Sequence, residues 1–375
     1  MKVLFTCGGT AGHINPALGV AGRLRELMPE TEILFVGAEG NMETELVPRE
    51  GFDIRTVRIS GFHRSLRPKM LLENVKTAYR AVAAQVQARR ILREFQPDVA
   101  IGTGGYVCFP VLKAAADLKI PTAVHESNAI PGLTTRLLEK NVNRIMVGFE
   151  ESRAAYRHPD KVEVTGTPVR TEFQNEDRSR ARGELGFQEQ EPIVLAAFGS
   201  LGADYMNGMM EKLIRRMGPE PDFRLIYATG KRYYDGVKKR LAAEGITSGR
   251  IDVREYIYDM PRVMSAADVI ICRAGASTIS ELTHLGKPAV IVPSPNVVNN
   301  HQKKNASVLA EAGAARMLLE GEFDAETLYR SVEELLCHRE LAEKMQIASR
   351  GLAVANATDR IVSIILDLAE EKARR

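Results

Sequence analysis

The sequence predicts an α/β protein made of two doubly wound, Rossmann-like domains facing each other across a cleft. Three observations carry this. Short runs rich in β-branched residues alternate with longer amphipathic stretches, which is the βαβ rhythm of a parallel sheet. The rhythm halts at a polar, charged stretch over residues 173–191 and then starts again. Each half opens with a strand that runs into a glycine turn, Cys7-Gly8-Gly9-Thr10-Ala11-Gly12 in the first and Phe198-Gly199-Ser200-Leu201-Gly202-Ala203 in the second.

In the first half, residues 2–6, 32–36, 99–101, 122–125, 144–147 and 162–165 are short runs in which Val, Ile, Leu, Phe or Thr recur, so strands are expected there. Helical patterns lie between them, for example over 16–27 and 70–95, where apolar residues return every three or four positions. The second half repeats the scheme with strands expected at 193–198, 223–227, 251–254, 269–272 and 289–292. A chain of 375 residues exceeds the ~250–300 at which a single core stops growing. The expected division is a first domain over 1–168, a linker over 169–190 and a second domain over 191–352. The last helical pattern, about 353–375, is assigned back to the first domain.

The formal net charge is +3, with 45% hydrophobic and 26% charged residues. That is a globular composition without the strongly basic face of a nucleic-acid binder, so no nucleic-acid partner is expected. The four cysteines, Cys7, Cys108, Cys272 and Cys337, form no CxxC pair and no cluster with zinc spacing. Three of them sit in apolar, strand-like surroundings and suit small core residues, and such cysteine usage suits a reducing cytosol. Met1-Lys2-Val3-Leu4-Phe5-Thr6 enters a strand directly, with no apolar leader or cleavage site. No apolar run reaches the ~18–20 residues of a membrane span. The expected location is the cytoplasm, with any membrane contact peripheral.

Gly8-Gly9-Thr10-Ala11-Gly12-His13 follows a strand and precedes a helix. Such a turn suits a phosphate at the helix start or serves as a plain strand-to-helix connection. It is neither GxGxxG nor a P-loop. Further glycine turns follow strand ends at Gly102-Thr103-Gly104-Gly105, Thr165-Gly166-Thr167-Pro168, Ala228-Thr229-Gly230 and Arg273-Ala274-Gly275. Ligands of open parallel sheets bind beyond the carboxyl ends of the strands, so these turns fit a phosphate-bearing ligand on both lips of the cleft. After the strand ending at Cys272, a helix is expected from near Ala276 to near Gly286-Lys287-Pro288. Its start can hold a diphosphate. Glu281 suits the two hydroxyls of a ribose, or is an exposed carboxylate in a favourable dipole position.

A basic, apolar segment lies at Phe62–76. Arg64, Arg67, Lys69 and Lys76 surround Leu66, Met70, Leu71, Leu72 and Val75, with Glu73 the lone acid. From Val75 onward the spacing of Leu72, Val75, Tyr79 and Val82 is that of a buried helical stripe. Leu66, Met70 and Leu71 precede or flank that stripe beside Pro68. They are expected to dip into the anionic cytoplasmic leaflet, with Arg64, Arg67 and Lys69 among the headgroups.

The motifs GGTAGH at 8–13, GTGGY at 102–106, HESNAIPG at 125–132, TGTPVR at 165–170, FGSLGA at 198–203, CRAGASTISE at 272–281 and HQKKNA at 301–306 run in order over nearly the whole chain. Together they resemble the MurG family, bacterial UDP-N-acetylglucosamine transferases of peptidoglycan synthesis with the GT-B fold (glycosyltransferase family 28). The resemblance implies UDP-N-acetylglucosamine as donor and lipid I, undecaprenyl-pyrophosphoryl-N-acetylmuramyl-pentapeptide, as acceptor. The product is lipid II, with a β-1,4 bond and inversion at the donor's anomeric carbon. Carried across motif by motif, the donor contacts are Thr10, Ala11, Gly12, Asn128, Arg170, Ser200, Ile257, Ala276, Ser277, Thr278, Ile279, Ser280, Glu281 and Gln302. Proteins of cell-wall synthesis or division are candidate partners, on the inner face of the cell membrane. No cofactor is implied. The chain departs from the family pattern at Ala11, where glycine is frequent, and at Phe198 and Leu201, where glycine and glutamine can stand. His301 replaces one of two adjacent glutamines, so only Gln302 is carried over.

An inverting transfer needs a base for the acceptor hydroxyl and a way to stabilise the leaving UDP. The transition state is oxocarbenium-like. His13, with an ordinary pKa of ~6.5, suits the base; it equally suits a hydrogen-bond donor that moves no proton. Glu126 is the reserve base. The sequence has no Asp-x-Asp pair for a metal-bound diphosphate, so metal-independent chemistry is expected, with helix N-termini meeting the leaving charge. Three rival functions remain. A UDP-N-acetylglucosamine 2-epimerase shares fold and donor but has no need of a membrane-facing segment. A nicotinamide oxidoreductase lacks its GxGxxG fingerprint here. A nucleotide-sugar sensor would not need His13.

Overall fold

A computed structural model of the chain describes residues 1–59, 68–199, 202–218, 220–246 and 248–374, with residues 68–79, 171 and 298 described as backbone alone. The chain divides into two compact units, Met1–Thr171 with Val354–Arg375, and Glu172–Ala353.

Unit 1 alternates strand and helix: β1 (Lys2–Thr6), α1 (Ala11–Leu27), β2 (Glu32–Ala38), α2 (Glu43–Arg49), β3 (Asp53–Val57), α3 (Pro68–Phe95), β4 (Val99–Gly102), α4 (Cys108–Asp117), β5 (Thr122–Glu126), α5 (Leu133–Leu138), β6 (Arg144–Val147) and β7 (Val162–Val164). Its strands pair in parallel in the order β3-β2-β1-β4-β5-β6-β7. After α6 (Thr171–Gln174), unit 2 continues with α7 (Arg178–Glu184), β8 (Ile193–Ala197), α8 (Asp204–Met217), β9 (Arg224–Ala228), α9 (Tyr234–Ala243), β10 (Ile251–Arg254), α10 (Met260–Ala266), β11 (Val269–Cys272), α11 (Ala276–Leu285), β12 (Ala289–Ile291), α12 (His301–Glu311), β13 (Arg316–Met317), α13 (Ala325–Cys337) and α14 (Arg339–Gly351). Its sheet is also parallel, in the order β10-β9-β8-β11-β12-β13. The chain then returns to unit 1 as α15 (Ala357–Ala373).

Alternation along each strand sorts residues to the two faces. In β1, Val3 and Phe5 point to the layer of α1 and α15, where Ile14, Val20, Leu24, Ile361 and Ile365 are buried, while Leu4 points to the layer of α3 and α4. Phe5 stacks on Phe35 of the neighbouring strand at 5.3 Å, and Phe35 meets Phe52 at 5.4 Å. The last helix is tied down by Arg23 to Asp359 at 2.7 Å and Arg144 to Glu371 at 3.0 Å.

Several local expectations change. α1 starts at Ala11 rather than 16, because the small residues of the glycine turn hide the apolar period that the sequence shows only later; Pro16 lies inside the helix. β3 was not expected: it is an edge strand in which only Val57 is buried. β13 has two residues, too few for a pattern. Val82, placed by spacing on a buried stripe of α3, is 62% exposed. The stripe that meets the sheet is Ala84, Ala88, Ile91 and Leu92, at steps of four, three and one, and residue 82 lies two positions away, nearly across the helix. Arg64, Leu66 and Arg67 of the expected membrane segment lie outside the described residues, and Lys69, Met70 and Leu71 belong to the stretch described as backbone alone. Among the described residues no helix is long and apolar enough to cross a membrane. Cys7, Cys108 and Cys272 are buried free thiols and Cys337 is exposed. Burial pushes Cys108 and Cys272 up to about 12, which makes them packing residues rather than nucleophiles.

The polar stretch after Thr171 is packed. Its sequence looks like a linker because its charges are meant for each other. Arg182 of α7 is fully buried. Its guanidinium meets Asp268 at 2.6 Å and donates to the carbonyls of Ala266 (3.0 Å), Gln188 (3.1 Å), Glu189 (2.8 Å) and Glu191 (2.8 Å). Asp268 also accepts from the Ile193 N–H at 2.8 Å, so one ion pair joins α7, the start of β8 and the α10–β11 turn. Arg182→Met should leave several buried carbonyls without a donor and lower the stability of unit 2 by about 2–4 kcal/mol. In urea denaturation, unit 2 should unfold at lower denaturant while unit 1 keeps its midpoint; coincident, unshifted transitions would contradict this.

Candidate functional site

Each sheet reverses its strand order once, unit 1 between β1 and β4 and unit 2 between β8 and β11. Loops leaving the carboxyl ends there go to opposite faces and open a crevice, where ligands of such sheets bind. The glycine turns after β1, β4, β8 and β11 fall at these two places, while those after β7 and β9 stand elsewhere along the sheet edges.

In unit 1 the turns after β1 and β4 are pressed together. Gly105 has φ +88, and a Cβ there would stand 2.2 Å from the Gly8 carbonyl oxygen, so no side chain fits. A Cβ on Gly104 would stand 2.3 Å from Nδ1 of His13, so the imidazole lies on this glycine. Thr103 donates its hydroxyl to the His13 carbonyl at 2.7 Å. Thr10 takes an extended conformation before α1, and its carbonyl accepts from the N–H groups of His13 and Ile14 at 3.0 and 3.2 Å. Thr10 and Gly12 are exposed, and Ala11 and His13 half-buried. His13 thus meets the second turn through its backbone and through a flat glycine surface under its ring.

The next loop over is organised by Glu126. Its buried carboxylate accepts from the Asn128 N–H (3.1 Å), the Asn128 side-chain amide (2.9 Å), the Gly132 N–H (2.8 Å) and the Thr135 hydroxyl (2.8 Å). With both oxygens engaged twice, Glu126 has little capacity left to take a substrate proton. This corrects its place as reserve base: it shapes the 126–135 loop and presents Asn128, which is half-buried. His125 is also structural. Its Nε2 lies 2.8 Å from the Gly166 carbonyl, which can only accept, so Nε2 carries the proton and Nδ1 faces the Ser127 hydroxyl at 3.2 Å. Burial holds this imidazole below the usual histidine range, opposed by the Gly166 bond and nearby Glu126 and reinforced by His13. The bond joins β5 to the 165–170 turn, which carries the half-buried Arg170.

In unit 2, Ser200 lies outside the described residues. Gly202 of the same loop has φ +72, and a Cβ on it would stand 2.0 Å from the Thr229 carbonyl, so the turns after β8 and β9 touch backbone to backbone. Buried Asn207 secures this contact: its amide donates to Thr229 at 3.1 Å and its oxygen accepts from Tyr227 at 2.5 Å. α11 begins after Gly275 with no side-chain cap, and its first internal bond runs from the Ile279 N–H to the Gly275 carbonyl at 2.9 Å. The N–H groups ahead of it belong to Ala276, Ser277 and Thr278, the start of the helix where an anion is favoured. Ser277, Thr278, Ser280 and Glu281 are half-buried. Ala276 and Ile279, three apart on one face, turn their side chains inward. Ile279, with its N–H also engaged, is therefore a packing residue rather than a ligand contact. Ile257 is 2% exposed, so a base beside it would meet main chain. Gln302 accepts the Ser294 N–H on its amide oxygen at 2.8 Å, leaving its NH2 to offer.

Sequence inspection missed the buried polar residues that brace these turns. Asn207 is one; Asn305, which donates to the Ala274 carbonyl at 3.2 Å, is another. Glu43, which accepts from the Gly9 N–H at 3.1 Å, is a third. A polar residue inside an otherwise apolar helical face is the only signal that marks them.

Residues 3–147 match the glycosyltransferase family 28 N-terminal domain and residues 193–361 its C-terminal domain. The UDP-N-acetylglucosamine--N-acetylmuramyl-(pentapeptide) pyrophosphoryl-undecaprenol N-acetylglucosamine transferase of Acetivibrio thermocellus is 43% identical over 373 residues, covering all of both chains. Among solved structures, MurG of Acinetobacter baumannii aligns over 98% of this chain and 99% of its own, with a TM-score of 0.74 and 27% identity. A UDP-GlcNAc 2-epimerase from Neisseria meningitidis, bound to UDP-GlcNAc, aligns over 98% and 100% with a TM-score of 0.67 but 17% identity, a likeness of fold alone. Full-length identity, two family domains in order and the reversal-point glycine turns agree, and the chain belongs to the MurG family of N-acetylglucosamine transferases, within glycosyltransferase family 28.

Proposed function

We propose that this chain transfers N-acetylglucosamine from UDP-N-acetylglucosamine to the 4-hydroxyl of N-acetylmuramyl-pentapeptide on undecaprenyl pyrophosphate, converting lipid I to lipid II with inversion. The observation that carries this is the full-length 43% identity to a transferase whose name states that sugar and that acceptor. The deciding experiment incubates the protein with UDP-N-acetylglucosamine and a lipid I analogue in EDTA. UDP release should require the acceptor; release without it, with N-acetylmannosamine as a product, would favour epimerase chemistry.

In this scheme unit 2 carries the donor. The N–H groups at the start of α11 meet the diphosphate, with Ser277, Thr278 and Ser280 beside it, and Glu281 takes the ribose hydroxyls. Ser200, of the 198–203 motif, is assigned to the donor as well. Gln302 offers its NH2 to the sugar, and main chain at Ile257 meets the uracil. Thr10, Ala11, Gly12, Asn128 and Arg170 contribute from unit 1. His13 takes the proton of the acceptor 4-hydroxyl as that oxygen bonds to the anomeric carbon. The bond from this carbon to the diphosphate oxygen breaks, and UDP leaves with the electron pair, its charge met by fixed N–H donors. What supports His13 is the contact of its ring with Gly104 at the reversal point, on a residue that is half-buried.

A pair of substitutions separates binding from chemistry. Glu281→Ala should weaken UDP binding by about 1–3 kcal/mol if two hydrogen bonds to a carboxylate are lost. His13→Ala should keep that affinity and lower turnover by ~10²–10⁴-fold. Calorimetry with UDP and steady-state rates read the two effects. Unchanged UDP affinity in the first variant, or turnover within a few-fold of the parent in the second, would remove that residue from its role.

The acceptor's polyprenyl chain requires the enzyme to work at a membrane, and we place the contact on Leu66, Met70 and Leu71 with Arg64, Arg67 and Lys69 about them. The described part of α3 has the same character: Val82 and Val86 are 62% and 61% exposed, and Arg80, Arg90 and Arg93 are exposed too. Each cation near an anionic surface adds about 1 kcal/mol. Replacing the three apolar residues with serine should abolish sedimentation with anionic vesicles while sparing turnover of a water-soluble acceptor. Undiminished sedimentation would exclude this segment as the anchor.

A further inference from the structure

Beneath the first glycine turn of unit 1 lies a carboxylate that the transfer chemistry leaves unassigned. Glu43 opens α2 and is fully buried. A buried charge is tolerated only where it is paired or hydrogen-bonded. Glu43 is met by main-chain donors on both oxygens, the Ala38 N–H at 2.9 Å on Oε1 and the Gly9 N–H at 3.1 Å on Oε2. Missing side chains make room for it. A Cβ on Gly8 would stand 2.4 Å from its Oε1, and one on Gly37 2.5 Å from its Cγ.

The same short segment reaches the second turn as well. Asn41 donates its side-chain amide to the Tyr106 hydroxyl at 2.6 Å, and the Tyr106 ring stands 3.8 Å from where a Gly9 Cβ would be. Residues 38–43 therefore hold both turns, the first through Glu43 and the second through Asn41. The turns hold each other through Gly8 and Gly105, and Gly104 bears the His13 ring. An unbroken chain of contacts leads from the Glu43 carboxylate to the imidazole.

We infer that Glu43 is a positioning residue of the transfer reaction, setting the Gly8–Gly9 turn, the start of α1 and the orientation of His13 without touching substrate. This rests on the transferase function proposed above. The carboxylate is required as such, because both of its oxygens accept. A glutamine in its place must turn an NH2 toward one of the two N–H groups. A small displacement of a reacting group costs rate far more than it costs folding.

The test uses Glu43→Gln in the full chain, with kcat at saturating donor and acceptor, UDP affinity by calorimetry and the thermal midpoint. We expect a folded protein whose UDP affinity stays within about threefold of the parent, because α11 holds the diphosphate, and whose kcat falls roughly 10- to 100-fold. Should that variant not fold, Glu43→Asp carries the same expectation, since it keeps the charge but is one methylene short of the Gly9 N–H. A folded variant of either kind with parental kcat overturns the role of Glu43. So does a kcat loss matched by an equal loss of UDP affinity, which is the mark of general loosening. A parent chain that releases no UDP in the presence of acceptor fails differently: it removes the transferase function itself.

Discussion

A parallel sheet sends the carboxyl end of every strand to the same edge, and this constraint governs both units. Where strand order reverses, successive helices leave on opposite faces, so the loops there separate and the sheet edge between them is uncovered. In unit 1 this happens beside β1 and β4, in unit 2 beside β8 and β11. Four of the glycine turns stand at those strand ends. Their position follows from topology before any question of chemistry arises.

These turns are packed against one another through backbone. Gly105 lies on Gly8 and Gly202 on Thr229 at distances that admit no side chain. Loops are usually the mobile part of a fold; here main chain abuts main chain, and buried polar side chains finish the bracing. Glu126 gathers four donors, Asn207 and Asn305 each hold a carbonyl beside a turn, and Glu43 receives two N–H groups.

The boundaries of the two units rest on charged residues as much as on apolar ones. Arg182 is buried because it satisfies Asp268 and four carbonyls at once, which turns a polar stretch into part of unit 2. α15 closes unit 1 from the other end of the chain: its apolar face covers the layer of Phe5 and Phe35, and ion pairs to Arg23 and Arg144 fix its position. Unit 1 thus needs the chain's last residues to cover its sheet.

The sequence by itself determined the class of fold and the family. Parallel strands buried on both faces carry dense apolar runs that survive without any knowledge of pairing, and the glycine motifs keep their order along the chain. It also marked the glycine turns at the strand ends, since glycine there answers to local geometry. Tertiary structure alone decided the rest. The edge strand β3 and the two-residue β13 carry too little pattern to be seen. The exposed side of α3 at Val82 depended on which stripe met the sheet. Glu126 read as a reserve base until its four donors were brought to it by the loop that follows, and Glu43 carried no motif that singled it out. Arg182 looked like linker charge. For Glu43 both partners are main-chain N–H groups, and for Glu126 and Arg182 several are main-chain N–H or carbonyl groups; such partners carry no residue identity that a sequence could display.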